Sequence, residues 1–175
     1  MPQSYKHVEW CLNKAKREIE ECEKLGKRAK HRGLVKIKPD IDEARKHIAK
    51  AEHNFKAITR FKEIGFSDWS ISAGFYCVYQ CFLAIAIKFG YESRNQTCTI
   101  ALIECLKEQS KIDIDTKFIE MLKQEDMVEM ENKIIDMRED YTYGVKISIE
   151  DETKINRLVE ICREMIDLTK NIIFK

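Results

Sequence analysis

Two clusters of polar residues in this 175-residue chain have the residue types that bind an anion. The first is the segment RNQT at positions 94–97, and the second is MREDYTYG at positions 137–144. In the second, Arg138 and Tyr141 are three residues apart and therefore share one face of a helix, while Tyr143 lies five residues beyond Arg138. An arginine flanked by phenol rings can bind a phosphate through two N–H groups and can stack on a base. This combination is typical of a nucleotide or RNA site.

The second cluster also has a purely structural interpretation. Arg138 could pair with Glu139, with Asp140 or with an acid on a neighbouring helix, because such pairs are common on helix surfaces. Tyr141 could simply continue an apolar stripe at a spacing of three and four residues, which consists of Met127, Met130, Ile134 and Met137. The spacing alone favours the structural interpretation.

A cluster of cations precedes both segments. Between positions 24 and 38 there are seven Lys or Arg residues and no acid, and six of them form what we call the basic patch: Lys27, Arg28, Lys30, Arg32, Lys36 and Lys38. Local cations bind the phosphates of RNA or DNA because binding releases counterions. The alternative is the solvated end of a helix, where cations are favourable near the C-terminus. No aromatic residue lies among these cations to stack on a base, which favours the alternative.

The cysteines and histidines do not have the spacing of metal ligands. His47 and His53 are six residues apart and lie on different faces of a helix. Cys77 and Cys81 are one turn apart, but no second pair completes a site, and cysteine among apolar residues is usually a small buried hydrophobe. We predict no metal and no cofactor. The odd number of seven cysteines and the polar start MPQSYKHVEW indicate free thiols in a reducing cytoplasm and no disulfide scaffold.

The element that must position the two polar clusters is the segment from Phe66 to Phe89. It carries no charge between Trp69 and Ile87, so it predicts a central helix that other helices surround. Ser67 is the expected N-cap and Gly90 the residue that ends the helix. The run is about long enough to span a membrane, but its serines, Gln80 and tyrosines favour a buried helix and no membrane partner.

Amphipathic patterns on both sides predict an all-α, up-and-down helical bundle. A first helix is expected from Ser4 to about Lys30, and a second opens at Asp40 and ends at Gly65. Ser148 is the expected cap of the last helix. We therefore divide the chain into residues 1–39, an amphipathic helix with a basic linker, and residues 40–175, the bundle. The net charge of +1 gives no overall attraction to nucleic acid.

The run from Asp42 to Leu106 resembles the HEPN domain superfamily. An Ala-rich amphipathic helix leads through a Gly-terminated junction into FYCVYQCFLAIAIKFGYES, and a polar turn and a short helix follow. Positions 75–87 correspond to the family's "YYAxFxAAxALL…G" helix, and Gly90 corresponds to the glycine that ends it. The RxxxxY segment at positions 138–143 falls where the family carries its arginine motif. The resemblance covers about residues 40 to 174.

The resemblance implies a helical bundle that usually forms a homodimer, with the arginine motif at a cleft near the dimer interface. Such domains often work beside a minimal nucleotidyltransferase, or in toxin-antitoxin and RNA-processing systems. Active members are metal-independent endoribonucleases in which a histidine follows the arginine after four to six residues. Here the corresponding positions hold Tyr143, Gly144 and Val145, and no histidine lies beyond His53. Tyrosine is a poor general base at neutral pH.

Three functions follow from these observations. The leading hypothesis is a non-catalytic HEPN-like module that binds a nucleotide or RNA, or partners a nucleotidyltransferase, with Arg138, Tyr141 and Tyr143 lining a cleft and Arg94 as a weaker candidate. The first alternative is a metal-independent endoribonuclease in which Arg138 stabilises the scissile phosphate and Tyr143 replaces the histidine. The second alternative is a dimeric interaction domain in which the arginine is structural.

Overall fold

The computed structural model of the protein describes residues 3–123 and 134–175. The elements in chain order are α1 (Gln3–Lys24), β1 (Leu34–Lys36), α2 (Ile41–Glu63), α3 (Ser67–Lys88), β2 (Tyr91–Ser93), α4 (Gln96–Glu108), α5 (Thr116–Glu120), α6 (Ile134–Thr142) and α7 (Glu152–Phe174). The predicted all-α bundle is confirmed. Met127 and Met130, which the sequence assigned to the stripe of α6, lie outside the described residues.

Helix α3 forms the centre of the bundle, as its composition predicts. It packs against α2, α4, α6 and α7, and most of its residues are buried. By length and composition α3 could cross a membrane, but 72% of its most apolar window is buried inside the protein. Core helices of soluble proteins have this property. The single amide in its middle is Gln80, whose Oε1 accepts a hydrogen bond from His47 Nδ1 of α2 at 2.7 Å.

The ends of α2 and α3 follow local sequence signals, with one exception. Asp40 caps α2 by accepting a hydrogen bond from the backbone N–H of Glu43 at 2.9 Å. Gly65 and Gly90 adopt positive φ angles of 85° and 81°, which glycine reaches without a steric penalty. Ser67, however, does not cap α3, because its hydroxyl accepts a hydrogen bond from the backbone N–H of Ile149 instead.

The expected linker before α2 contains a strand that the sequence did not predict. β1 pairs with β2 in an antiparallel two-stranded sheet, with Val35 opposite Glu92. Helix α1 also ends at Lys24 and not near Lys30, because Gly26 takes a positive φ angle and ends the helical path. The basic patch therefore follows α1 in a non-helical segment that includes β1.

Helix α1 is packed into the main core. Val8 and Cys11 are buried in the same hydrophobic cluster as the residues of α3, and α1 lies against α4 and β1. Cys11 forms a disulfide with Cys98 at the start of α4, with 5.8 Å between the two Cα atoms. The prediction that every cysteine is a free thiol is therefore wrong for these two. The pairing depends on how α1 packs on α4, which cysteine spacing does not reveal.

Helix α7 crosses α3 at a point of very close approach. A Cβ atom on Gly74 would lie 2.6 Å from a methyl group of Leu158, so only glycine fits there without movement of the leucine. The Sγ atom of Cys162 also donates a hydrogen bond to the Gly74 carbonyl at 3.6 Å. The cap of α7 is Asp151, which accepts from the backbone N–H of Thr153, and not Ser148 as the sequence suggested.

Candidate functional site

The arginine cluster lies where α6 packs along α3. The hydroxyl groups of Ser72 and Thr142 share a hydrogen bond of 2.6 Å, and one turn away the guanidinium carbon of Arg138 lies 4.1 Å from the ring centroid of Phe75. Because later residues of α3 face earlier residues of α6, the two helices are antiparallel here. This packing fixes the position of Arg138 on the bundle.

Arg138 has an aromatic partner but no acidic one among the side chains that the structure describes, which are those of residues 3–123, 134 and 137–175. Its guanidinium covers the ring of a buried phenylalanine, and its Nε atom is buried without a hydrogen-bond partner. Asp140, which the sequence offered as a partner, pairs with Lys146 at 3.2 Å. Buried polar groups normally have a hydrogen-bond partner, so an unpaired Nε calls for an explanation.

The ring under Arg138 belongs to an aromatic group on α3. Phe75 contacts Tyr76 edge to face at 5.2 Å and stacks with Tyr79 at 6.2 Å between ring centroids. Phe75 is 1% exposed, whereas Tyr76 is 47% exposed. Tyr76 is therefore an open ring that contacts the same phenylalanine on which Arg138 packs. The sequence did not select Phe75 and Tyr76 as site residues, since nothing in it shows that α6 packs on this face of α3.

The two tyrosines of the arginine cluster have different environments. Tyr141 is partly buried against the core, and Lys146 Nζ lies 5.5 Å from its ring centroid. Tyr143 lies just beyond the end of α6 and is 76% exposed. Its backbone N–H still bonds to the carbonyl of Glu139. Helical spacing places Tyr141 on the Arg138 side of α6, while Tyr143 has left the helix.

Arg94 belongs to a different part of the fold. Its Nε donates a hydrogen bond of 2.7 Å to Glu92 Oε1 of β2, the strand that follows α3. Arg138 lies against the middle of α3, whereas Arg94 follows β2, beyond the C-terminal end of that helix. The neighbouring Asn95 caps α4 by accepting from the backbone N–H of Cys98. These contacts give the RNQT segment a structural role in starting α4.

All six side chains of the basic patch are exposed. None of them takes part in an ion pair within the described parts of the chain, in contrast to most cations on α2. The nearby acids Glu18 and Glu92 are engaged elsewhere, by the backbone N–H of Arg32 and by the Arg94 side chain. The charge of the patch is therefore open to solvent.

A sequence model of the HEPN domain matches residues 44–172, which is most of the chain. The chain belongs to the HEPN domain family. Domains of this family have roles as ribonucleases or in nucleotide-related processes, commonly dimerise and commonly associate with nucleotidyltransferases. The search for similar proteins among curated sequences found no match.

The HEPN match begins within α2, so α1 and the basic patch lie outside it. Within the matched region, Arg138 is the arginine that packs on the central helix, and no histidine follows it in the sequence. The division of the chain at residue 39 stays a prediction, since α1 shares the core of the domain through Val8 and Cys11.

The buried cysteines of the HEPN domain are thiols in the core. A hydrogen bond with Cys162 and burial raise the pKa of Cys77 far above its usual range, and a hydrogen bond with Cys77 and burial do the same for Cys81. Metal ions bind thiolates, so these protonated groups are poor ligands. Among the described residues, His, Cys, Asp and Glu do not form a cluster of three or more that could hold a metal ion.

A cleft of about 570 Å³ lies between α3, α6 and α7. Its walls include Ile71, Met137 and Leu158, with Lys154 and Arg157 of α7 at its edge. Arg138, Tyr141 and Tyr143 do not line it. The cleft and the arginine site are therefore separate features of the HEPN domain, although they share α6 as a wall.

Proposed function

We propose that this HEPN domain binds a nucleotide or RNA at Arg138 and does not carry out the RNA cleavage of the active family members. The observation that carries the proposal is the contact between Arg138 and Phe75, in which the arginine has no acidic partner among the described residues. In the proposed site Arg138 binds a phosphate, and Tyr76 and Tyr141 supply aromatic surface for a base or sugar.

The chemistry of arginine supports a phosphate as the ligand. A guanidinium carries five N–H donors in a planar fork, and stacking on an aromatic ring leaves the donors at its edge available. Phosphate oxygens accept such donors in pairs. The buried Nε, which has no hydrogen-bond partner, is a donor that a bound anion could satisfy. A carboxylate of the protein next to Arg138 would accept hydrogen bonds from the same N–H groups and compete with a phosphate for them.

The absence of a histidine after Arg138 supports a binding role over a catalytic one. General bases in RNA cleavage work best with a pKa near the operating pH, which favours histidine over a phenol. Tyr143 is the residue that would have to replace it, and it lies outside α6 with most of its ring in solvent. RNA cutting in EDTA that disappears in Tyr143→Phe would support the endoribonuclease alternative instead.

Titration calorimetry with ATP and with a short single-stranded RNA tests the site. We expect Arg138→Ala to weaken binding roughly 10- to 100-fold, because a hydrogen bond to a charged group contributes about 1.5–3 kcal/mol. Arg60→Ala is the matched control, since Arg60 is an exposed arginine of α2 that pairs with Glu63. Equal affinities for wild type and Arg138→Ala would remove the site assignment.

We also propose that the domain forms a homodimer and can partner a nucleotidyltransferase, in a toxin-antitoxin or RNA-related role. Trp69 and Tyr76 are seven residues apart on α3, lie on one face and are 50% and 47% exposed. Exposed aromatic residues on an otherwise buried helix are typical of an interface. Sedimentation of wild type and of Trp69→Ser checks this proposal. A dimer or nucleotidyltransferase complex that forms equally well with Arg138→Ala, without any ligand binding, would favour a pure interaction domain.

A further inference from the structure

We propose that the basic patch is a second contact surface for RNA, which binds the phosphodiester backbone independently of sequence. The inference rests on the proposed function only in taking RNA as the partner. It does not require that Arg138 be the nucleotide site. The patch precedes the region that matches the HEPN domain, so it would be an addition of this chain to that domain.

Charge is distributed unevenly along the chain. The segment from residue 24 to 38 carries seven cations and no acid, a charge of +7 with His31 neutral. Since the whole chain carries +1, the remaining residues sum to −6. The patch is therefore the positive pole of an otherwise acidic protein. Such asymmetry steers and binds a polyanion even when the net charge is close to zero.

The backbone under the patch is held at several points. The backbone N–H groups of Lys27 and Arg32 bond to Cys22 O and to the Glu18 carboxylate. Gly33 lies so close to α1 that a Cβ atom there would be 2.4 Å from the carbonyl oxygen of Cys11. The cations therefore extend from an ordered segment, and binding does not have to fix the backbone first.

The strand at the end of the patch gives a regular spacing of charge. β1 pairs with β2, and the backbone N–H of Ile37 bonds to the carbonyl of Gly90 at 2.9 Å, which extends the pairing by one residue. Lys36 and Lys38 are exposed while Ile37 between them is partly buried. Alternate residues of an extended strand lie about 6–7 Å apart. That distance is about twice the roughly 3.4 Å per charge that one strand contributes along the axis of a DNA double helix.

Nucleic acid fits the patch better than a membrane surface does. A segment that inserts into a membrane interface needs large apolar side chains on the face that carries its cations. Leu25 is the large apolar side chain exposed in the described residues of this segment, and it precedes the cations of the patch. The basic patch thus offers charge with little apolar surface to insert.

The test measures how RNA affinity depends on salt. The probe is a single-stranded RNA of mixed sequence, about 20 nucleotides long, titrated at several salt concentrations between about 50 and 200 mM. If the six cations each contact one phosphate, log K should fall against log salt with a slope of about −4, since each contact on a single strand contributes about −0.7. We expect Lys36→Gln/Lys38→Gln to change this slope to about −3 and to weaken binding at low salt.

The matched control is Lys50→Gln/Lys56→Gln, which removes the same charge from exposed positions of α2. The proposal expects a slope close to that of wild type for this control. Equal slopes for the patch and control variants, or no binding of the RNA at low salt, would overturn the proposal. Binding to vesicles of phosphatidylserine and phosphatidylcholine, with no binding to RNA, would also overturn it and would identify a membrane surface as the partner.

The outcome of the salt titration does not depend on the outcome of the titration of Arg138→Ala with ATP and a short RNA. Arg138→Ala removes one cation and should leave most of the salt dependence with the long RNA intact, even if it abolishes binding of ATP. The patch variant should leave the binding of ATP unchanged. Each proposal can therefore fail while the other survives.

Discussion

The Cys11–Cys98 disulfide should make a large contribution to the stability of this domain. The two residues are 87 positions apart, so the bond closes most of the first half of the chain into one loop. For a loop of this length the chain-entropy model gives about 15 cal/mol/K, which is roughly 4.5 kcal/mol at 25 °C. In a protein of about this size each kcal/mol shifts Tm by roughly 2–4 °C, so reduction should lower Tm by about 10–18 °C.

Thermal unfolding with and without reductant measures this effect. Wild type should lose stability when tris(2-carboxyethyl)phosphine is present, whereas Cys11→Ala/Cys98→Ala should unfold at the same temperature in both conditions. Alkylation of the aerobically purified, denatured protein should label five cysteines before reduction and all seven after it. Seven labelled thiols before reduction, or a wild-type Tm that ignores the reductant, would refute the reasoning.

Three further predictions follow from other contacts. Gly74→Val should destabilise the protein by roughly 1–3 kcal/mol through its clash with Leu158. In urea unfolding, the double variant Gly74→Val/Leu158→Ala should lose less free energy of unfolding than the two single variants lose when their losses are added. In the native protein at pH 8, Cys22 should react with iodoacetamide long before Cys77 or Cys81, because the raised pKa values of these two buried thiols keep them protonated. Mass spectrometry of early time points checks the order of labelling. Fast labelling of Cys77 would contradict the prediction. Hydrogen bonds from Thr153 lower the pKa of Asp151, so its carboxylate stabilises the folded state above the unfolded pKa near 4, and this stabilisation is lost as the pH falls through the lower folded value. The stability difference between wild type and Asp151→Ala should therefore be larger at pH 6 than at pH 2 in urea titrations, and a pH-independent difference would contradict it.

The sequence predicted the bundle because its strongest signals are local. The central helix was expected from Phe66 to Phe89 and is found from Ser67 to Lys88, since a long uncharged run between two glycines has few alternative structures. The sequence did not predict β1 and β2, because three-residue strands carry too few residues for a periodic signal. The disulfide was missed for a related reason, since Cys11 and Cys98 are close only after α1 packs on α4.

The candidate site was predictable in part. Arg138 was selected from its residue type and its spacing to Tyr141, and the family resemblance pointed to the same segment. The contact with Phe75 could not be predicted, because the two residues are on different helices and 63 positions apart. The role of Asn95 as a cap of α4 was also missed, although an asparagine three residues before a helical Cys98 is a recognisable N-terminal signal.

The central claim is that the Arg138 side chain binds a phosphate, and the NMR signal of its Nε–H group reports on this directly. The signal is assigned by its disappearance in Arg138→Lys. Because Nε is buried over Phe75 without a partner, its proton should shift and become more protected from exchange when a short RNA is added. An Nε–H signal that stays unchanged while the same RNA binds would contradict the account.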